Sequence, residues 1–319
     1  MSGSENLYGL DEIKTYFSSL CREKKLSHAY LIEGAHGTGK KSLVRFIASE
    51  LGCKTENIDT CPDIRFIFRE NDKKNISIDA VRGVISDAYL TPSVLDFKLY
   101  AFDGAETLSP QAQNALLKVI EEPPENVYFF LLCESCAQIL TTVKSRTKKI
   151  VMPTFSVNEI TELLASENFS ASRDRCGIAA KLSGGSVGYA RELYENDDTA
   201  TFFGIAKKII QAQSEKNVKV KYFDFLSIFT DEIKAKQDIP SLASYLFMCY
   251  RELLLSKLTG EDQNVLFSPE ETKKYISSLS LGGINESVNS LNIIMSDSAY
   301  NFNATLAATS LAVLLWRAL

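Results

Sequence analysis

The amino-acid sequence predicts an α/β domain built on a parallel five-stranded sheet, followed by a mainly helical remainder. Five short apolar runs rich in aromatic and β-branched residues alternate with amphipathic stretches as far as residue 153. Strand patterns then fade, and helical patterns continue along the rest of the chain. The 319 residues correspond to two or three domains, at roughly 150 residues for each domain.

The predicted strands are short buried runs, which is typical of a parallel sheet covered by helices on both faces. They lie at 28–34, 63–68, 98–104, 127–134 and 149–153. The predicted helices between them span 41–51, 79–90 and 111–121. This alternation of strands and helices is the pattern of βαβ units.

Beyond residue 155 the sequence predicts two helical domains. Ser156 followed by Glu159 is a capping-box pattern, and a Ser-Gly-Gly-Ser turn at 183–186 precedes a later helix. Helix breaks are expected at 238–240, 259–262, 268–269 and 282–283. We expect an α/β domain over 1–155, a small helical domain over 156–198 and an all-helical domain over 199–319.

Composition and charge exclude several classes of protein. Hydrophobic residues make up 45% and charged residues 24%, which excludes a mainly disordered or collagen-like chain. The net charge of −5 means that any DNA contact needs a local basic patch or partner proteins. The apolar stretch 306–319 is too short to span a membrane, and residues 1–10 lack a secretory signal pattern. Seven scattered cysteines favour reduced thiols in a cytoplasm.

Residues 34–42, Gly-Ala-His-Gly-Thr-Gly-Lys-Lys-Ser, predict a phosphate-binding loop because they follow the first strand and open a helix. Glycines let backbone amides turn toward phosphate, and Lys40 can reach the β- and γ-phosphates. The candidate nucleotide-binding residues are Gly34, Gly37, Thr38, Gly39, Lys40, Lys41, Ser42 and Asp103. The alternative is a glycine turn without a phosphate role.

Two departures from the complete motif weaken the predicted magnesium chemistry. Lys41 stands where a hydroxyl would ligate Mg²⁺, and Ser42 lies about 100° farther around the helix. Asp103 supplies a metal-binding carboxylate, but Gly104 follows where a glutamate would polarise water, and Glu106 is too distant to replace it. We therefore expect a nucleotide fold with little or no hydrolysis, in which ATP or ADP would bind without a well-formed magnesium site.

Four segments of the sequence form a recognisable set. They are Leu-Ser-His-Ala-Tyr-Leu at 26–31, Asn-Ala-Leu-Leu-Lys-Val-Ile-Glu-Glu-Pro-Pro at 114–124, Val-Lys-Ser-Arg-Thr at 143–147 and Gly-Gly-Ser-Val-Gly-Tyr-Ala at 184–190. Together they resemble the bacterial DNA polymerase III clamp-loader family, and most closely its delta-prime branch. Thr147 stands where the family's Ser-Arg-Cys motif has cysteine. The clear resemblance covers residues 25–195, and the C-terminal part matches only in length and helical character.

The resemblance implies an AAA+ module, a helical lid and a helical collar through which subunits form a ring. It implies assembly with motor (tau/gamma) and delta subunits within the DNA polymerase III holoenzyme of a bacterial cytoplasm, and indirect action on the sliding clamp and primed DNA. Motor subunits of the family hydrolyse ATP, and delta-prime subunits offer the arginine of the Ser-Arg-Cys motif to that ATP. By this resemblance Arg146 is an arginine finger acting in trans, next to Ser145.

Two further features depart from the motor subunits and from many other family members. Gly188 stands at the position of an arginine in the lid helix of motor subunits. Only Cys53 and Cys61 remain of a four-cysteine zinc module, too few thiols to close a tetrahedral site, so we expect no zinc. The alternatives are a motor-type clamp-loader ATPase, a free-standing P-loop ATPase or phosphotransferase, and a scaffold that uses neither nucleotide nor Arg146.

Overall fold

The computed structural model describes residues 9–55, 58–69, 75–167, 173–215, 222–232, 238–260, 266–297 and 304–317. Over these ranges the chain forms five β-strands and fourteen α-helices. The strands are β1 (Ala29–Glu33), β2 (Ile64–Ile67), β3 (Lys98–Asp103), β4 (Val127–Cys133) and β5 (Lys148–Val151). The helices are α1 (Asp11–Arg22), α2 (Lys40–Glu50), α3 (Ile78–Ala88), α4 (Pro110–Glu121), α5 (Thr141–Lys144), α6 (Val157–Glu167), α7 (Arg173–Leu182), α8 (Val187–Glu195), α9 (Thr199–Ser214), α10 (Tyr222–Glu232), α11 (Asp238–Thr259), α12 (Pro269–Ser278), α13 (Leu281–Asp297) and α14 (Ala304–Arg317).

The five strands form one parallel sheet in the order β2–β3–β4–β1–β5. Because parallel strands point the same way, the carboxyl ends of β1, β3 and β4 meet at one edge. Gly34 N donates to Cys133 O and Gly104 N donates to Leu132 O, both at 3.0 Å. These bonds hold the loops after β1 and β3 on either side of the end of β4. The predicted phosphate loop and the predicted acidic motif therefore lie at the same edge.

Side chains alternate along the strands and build an apolar layer on each face of the sheet. Leu31 and Phe129 join a layer with α3 and α4. Ile32 and Phe130, one residue farther along each strand, join the opposite layer with α1 and α2. The predicted α/β fold with helices on both faces is confirmed.

The chain separates into two compact units. One contains residues 1–155 together with 186–189, and the other contains 156–185 together with 190–319. In the second unit α11 packs against α9 and α13. The buried Gln213 of α9 donates from Nε2 to Leu315 O (2.7 Å) and accepts from the Tyr250 hydroxyl, which ties α9 to α14 and α11. The predicted division at residue 198 stays a prediction.

Helix starts in the second unit bear out two of the expected breaks and correct a third. The break at 268–269 is confirmed, because Ser268 and Glu271 form a capping box at the start of α12. The glycines at 282–283 instead lie in the first turn of α13, where Ser280 Oγ accepts from Gly283 N at 2.9 Å. The break expected at 238–240 coincides with the start of α11 at Asp238, and Pro240 stands in the first turn of that helix, where proline is tolerated.

Membrane-spanning helices were not expected from the sequence. Among the residues that the structure describes, no helix combines the length and the apolar character needed to cross a bilayer.

Glu33, at the end of β1, links three neighbouring segments of the sheet edge. Its Oε1 accepts from Cys136 N (2.7 Å), and its Oε2 lies 2.6 Å from Lys149 Nζ on β5. The Lys149 ammonium and the Cys136 amide lower the pKa of Glu33 from 4.5 to about 2. A carboxylate with a lowered pKa stabilises the folded chain above pH 4.5, and this stabilisation is lost as the pH falls toward 2.

We expect Glu33→Gln to remove this pH dependence. The free energy of unfolding of the unsubstituted chain should fall more steeply between pH 4.5 and 2 than that of the variant. Urea denaturation across this pH range measures the difference. Glu50→Gln, at the exposed end of α2, is the matched control. Parallel pH profiles for Glu33→Gln and the unsubstituted chain would contradict the expectation.

Candidate functional site

The predicted phosphate loop, residues 34–39, joins β1 to α2 as the sequence pattern indicates. Gly37 and Gly39 have φ angles of 74° and 87°, a left-handed region that glycine adopts without strain. Thr38 donates from its backbone N (3.3 Å) and from Oγ1 (2.8 Å) to Ala35 O, which closes the turn. The loop thus places its backbone at the N-terminus of α2, the geometry of helix-terminal anion sites.

Lys40 is buried and bonded to its own loop. Its Nζ donates to Gly34 O (2.5 Å) and to Ala35 O (2.9 Å). Burial lowers the pKa of Lys40, and the nearby Glu134 carboxylate opposes that shift. A phosphate group that entered this loop would compete with the two carbonyl oxygens for the ammonium.

Lys41 forms an ion pair with the carboxylate of the acidic motif. Its Nζ lies 2.7 Å from Asp103 Oδ2. In the complete motif this carboxylate and a hydroxyl on the residue after the loop lysine hold Mg²⁺. Here the ammonium supplies the positive charge, and position 41 offers no oxygen ligand, while Ser42 follows half-buried on α2. The residues present therefore do not fit a magnesium ion of the kind that such loops hold.

The acidic motif has glycine at the position that follows Asp103. Gly104 follows Asp103 with a φ of 77°. Glu106 turns toward the end of β4, where its Oε1 accepts from Glu134 N (3.3 Å). Glu106 Oε2 is buried and has no hydrogen-bond partner among the described residues. The expectation that Glu106 does not take the place of the missing glutamate stays a prediction, and its orientation supports it.

A cavity of about 440 Å³ lies beside the loop and the ends of β3 and β4. Its charged lining residues are Lys40, Arg69, Asp103, Glu106 and Glu134. Two cationic groups against three carboxylates leave the lining with a formal charge of −1, and adding Lys41 brings the sum to zero. Such a lining offers a polyphosphate no net positive charge.

A short segment, Ser186–Tyr189, packs on the loop within the first unit. Gly188 N donates to Gly37 O (3.0 Å), and the Tyr189 ring meets the His36 ring edge-to-face at 5.5 Å. A Cβ on Gly188 would lie 2.5 Å from Gly37 O, and a Cβ on Gly37 would lie 2.3 Å from Tyr189 N. Two backbones therefore touch here, and an arginine at position 188 does not fit this arrangement.

Arg146 lies in the turn between α5 and β5, with 38% of its side chain exposed. Its Nε donates to the Glu121 carboxylate at the end of α4. Its Nη1 donates to Thr142 O (2.9 Å) and to Ser145 Oγ (3.2 Å). Nη2 makes no hydrogen bond to another described residue. The guanidinium is thus held along one edge while a second edge keeps its N–H donors.

The residues on either side of Arg146 fix the local backbone. Ser145 Oγ donates to Thr142 O (3.0 Å) while it accepts from Arg146. Thr147 Oγ1 donates to Val143 O (3.1 Å), so this hydroxyl bonds back to the preceding helical turn at the position where the resembling motif has cysteine. Both hydroxyls stabilise the turn that carries Arg146.

The two cysteines that remain of the zinc module are buried in the protein interior. Cys53 and Cys61 belong to the apolar layer with α1 and α2, and Cys53 Sγ lies 3.0 Å from Thr55 Oγ1. Within the described ranges, no three His, Cys, Asp or Glu side chains are placed together to hold a metal ion. The absence of zinc stays a prediction.

Sequence reasoning missed two ion pairs of this region. Lys41 was recognised as a departure and Asp103 as an acidic residue, but not as partners. Glu121 was placed on a helix without its contact to Arg146. A lysine replacing a metal-binding hydroxyl while the acidic residue remains is the one signal in the sequence that could have indicated the first pair.

We expect Gly188→Ala to loosen the contact between this segment and the loop. The added methyl group clashes with backbone rather than with a flexible side chain, and overpacking of this kind costs about 1–3 kcal/mol. Hydrogen exchange should quicken at the amides of 34–40 and 186–190, and the urea midpoint should fall.

The matched control is Gly83→Ala on α3, where an added Cβ meets nothing within 4 Å. That change should stabilise the helix by up to about 1 kcal/mol. Unchanged amide exchange in Gly188→Ala would contradict the proposed need for glycine.

Comparisons with known proteins show which proteins the chain is similar to. A family model described as "DNA polymerase III, delta subunit" matches residues 9–156. The chain is 24% identical to subunit tau of DNA polymerase III from Bacillus subtilis (strain 168) over 294 residues, covering 82% of this chain and 52% of that protein. It is 28% identical to subunit tau from Escherichia coli (strain K12) over 225 residues, covering 66% and 34%. The chain therefore spans about half the length of the first relative and about a third of the second.

A solved structure shows the same fold. It is a gamma subunit-related protein of DNA polymerase III from Thermotoga maritima, which is 19% identical, has a TM-score of 0.50, and is matched over 94% of this chain and 98% of that one. The likeness extends over the parallel sheet with helices on both faces that the sequence predicts. The chain is thus similar to delta and tau subunits of DNA polymerase III, and these comparisons do not separate the one kind of subunit from the other.

Proposed function

We propose that this chain is a delta-prime-like subunit of a bacterial DNA polymerase III clamp loader with little or no ATPase activity of its own. The observation that carries the proposal is the 2.7 Å ion pair between Lys41 and Asp103. A motor subunit needs that carboxylate for magnesium, and here an internal ammonium neutralises it. The absence of a glutamate at position 104 removes water activation as well.

In this proposal Arg146 acts in trans on ATP bound by a neighbouring motor subunit. A guanidinium suits that role because it stays charged and because its rigid fork matches phosphate oxygens. The exposed position of Arg146 and the unengaged Nη2 support the assignment. Ser145 contributes by positioning Arg146 through its hydroxyl.

The remaining parts of the proposal concern assembly. Residues 156–198 are a lid and residues 199–319 a collar, through which the chain joins motor (tau/gamma) and delta subunits in the cytoplasm. The sliding clamp and primed DNA are reached through the assembled ring. The net charge of −5 fits a subunit whose DNA contacts depend on its partners.

A motor-type subunit is the second candidate, because the relatives described above are tau subunits. Such a subunit would bind and hydrolyse ATP at the loop 34–39. The Lys41–Asp103 ion pair and Gly104 oppose this activity directly. We therefore favour the trans-acting role.

We expect Arg146→Ala to lower the ATPase activity of the reconstituted loader. The chain is mixed with motor and delta subunits, sliding clamp and primed DNA, and steady-state turnover is measured. Arginine fingers contribute about 10³–10⁵-fold in rate, so the ring should lose the contribution of the one ATP site that Arg146 serves. Arg146→Lys should restore only part of the activity, because lysine keeps the charge but lacks the planar fork.

The control variant is Lys148→Ala, which removes an exposed positive charge two residues away. Its ring should assemble and turn over ATP like the unsubstituted ring. Equal activity of Arg146→Ala and Lys148→Ala in assembled rings would overturn the trans-acting role and favour a pure scaffold.

A further inference from the structure

Glu121 ends α4 at the point where α4 meets the turn that carries Arg146. The two residues are 25 positions apart in the chain, and the Glu121 carboxylate accepts a charge-assisted hydrogen bond from Arg146 Nε. Both side chains are partly exposed, at 45% for Glu121 and 38% for Arg146. An exposed ion pair of this kind adds little to folding stability, so its interest lies in the geometry that it imposes.

The contacts of Arg146 divide its guanidinium into a held edge and a presented edge. Arg146 Nε donates to the Glu121 carboxylate, and Nη1 donates to Thr142 O and to Ser145 Oγ. An arginine side chain without such partners samples many rotamers, and ordering it costs about 2 kcal/mol. Three acceptors therefore fix the guanidinium before any partner arrives, and Nη2 keeps its donors.

We propose that Glu121 is a positioning residue for Arg146: it fixes the guanidinium so that the Nη2 edge faces a phosphate of the neighbouring subunit. Glu121 does not touch the reacting atoms in this proposal. The inference rests on the proposed trans-acting role of Arg146, and it adds a second residue on which that role depends. A displacement of about 1 Å in a positioned group can cost up to about 10²-fold in rate.

The neighbouring Glu122 provides a control within the same sequence. It has the same charge and is exposed, and it follows the helix as the residue after α4. Among the described residues, Glu121 is the carboxylate that pairs with Arg146. Any general effect of negative charge at the end of α4 should appear equally in Glu121→Ala and Glu122→Ala.

The test measures kcat and KM for ATP in the full loader reconstituted with sliding clamp and primed DNA. Glu121→Ala should lower kcat by about tenfold at the ATP site that Arg146 serves. KM should stay unchanged, because the partner subunit binds the ATP. Glu121→Gln, which keeps an acceptor oxygen, should retain most of the activity, and Glu122→Ala should behave like the unsubstituted chain.

A double-variant comparison separates positioning from general structure. In the Arg146→Ala background, Glu121→Ala should have no further effect, since there is no guanidinium left to position. Additive losses in the double variant would overturn the positioning role. An unchanged or higher kcat in Glu121→Ala would also overturn it, provided that Arg146→Ala lowers kcat. If Arg146→Ala itself had no effect, the proposed trans-acting function would fail instead.

Discussion

The ion pair between Lys41 and Asp103 is the interaction on which the character of the site depends. The parallel sheet brings the start of α2 and the end of β3 to one edge, as it would in a working ATPase. At that edge the chain provides its own cation, tethered at a fixed place, where a nucleotide-hydrolysing site would recruit a divalent metal. The Lys40 ammonium is bonded to two loop carbonyls and Gly188 N to a third, so the chain itself engages these groups of the loop.

In this chain the geometry of a nucleotide-binding fold is present without the side chains that hydrolyse a nucleotide. The strand–loop–helix geometry persists because buried apolar layers on both faces of the sheet hold it, independently of any ligand. Chemistry at the loop depends on a few side chains at the sheet edge, and Lys41 and Gly104 do not supply those of a hydrolysing site. Arg146, in a different turn, keeps the features of a cation offered to another molecule: exposure, a fixed guanidinium and donors that remain unengaged. These features support the proposed role of the chain as a partner subunit in a ring.

Local patterns in the sequence predicted the strands, the central helices and the loop, because buried runs, caps and glycine turns act within a few residues. The Ser156–Glu159 capping pattern, for example, reappears as reciprocal hydrogen bonds between those two residues. Sequence patterns do not predict the Glu121–Arg146 pair, because it joins elements whose adjacency depends on helix packing. The Lys41–Asp103 pair also depends on strand order, and the lysine at position 41 is its one signal in the sequence. The glycines at 282–283 predict a helix break, but α13 begins at Leu281 and includes them. Ser280 Oγ accepts from Gly283 N and so caps the first turn of that helix.

ATP turnover by the chain alone, with and without Mg²⁺, tests most directly whether the internal cation has replaced the metal. The assay uses the unsubstituted chain and Lys41→Met, which removes the ammonium without adding an oxygen ligand. We expect negligible hydrolysis from both proteins, and no increase on adding Mg²⁺, because position 41 lacks a ligand and position 104 lacks a carboxylate. Robust Mg²⁺-dependent hydrolysis by the unsubstituted chain would contradict the replacement of the metal and favour a motor-type subunit.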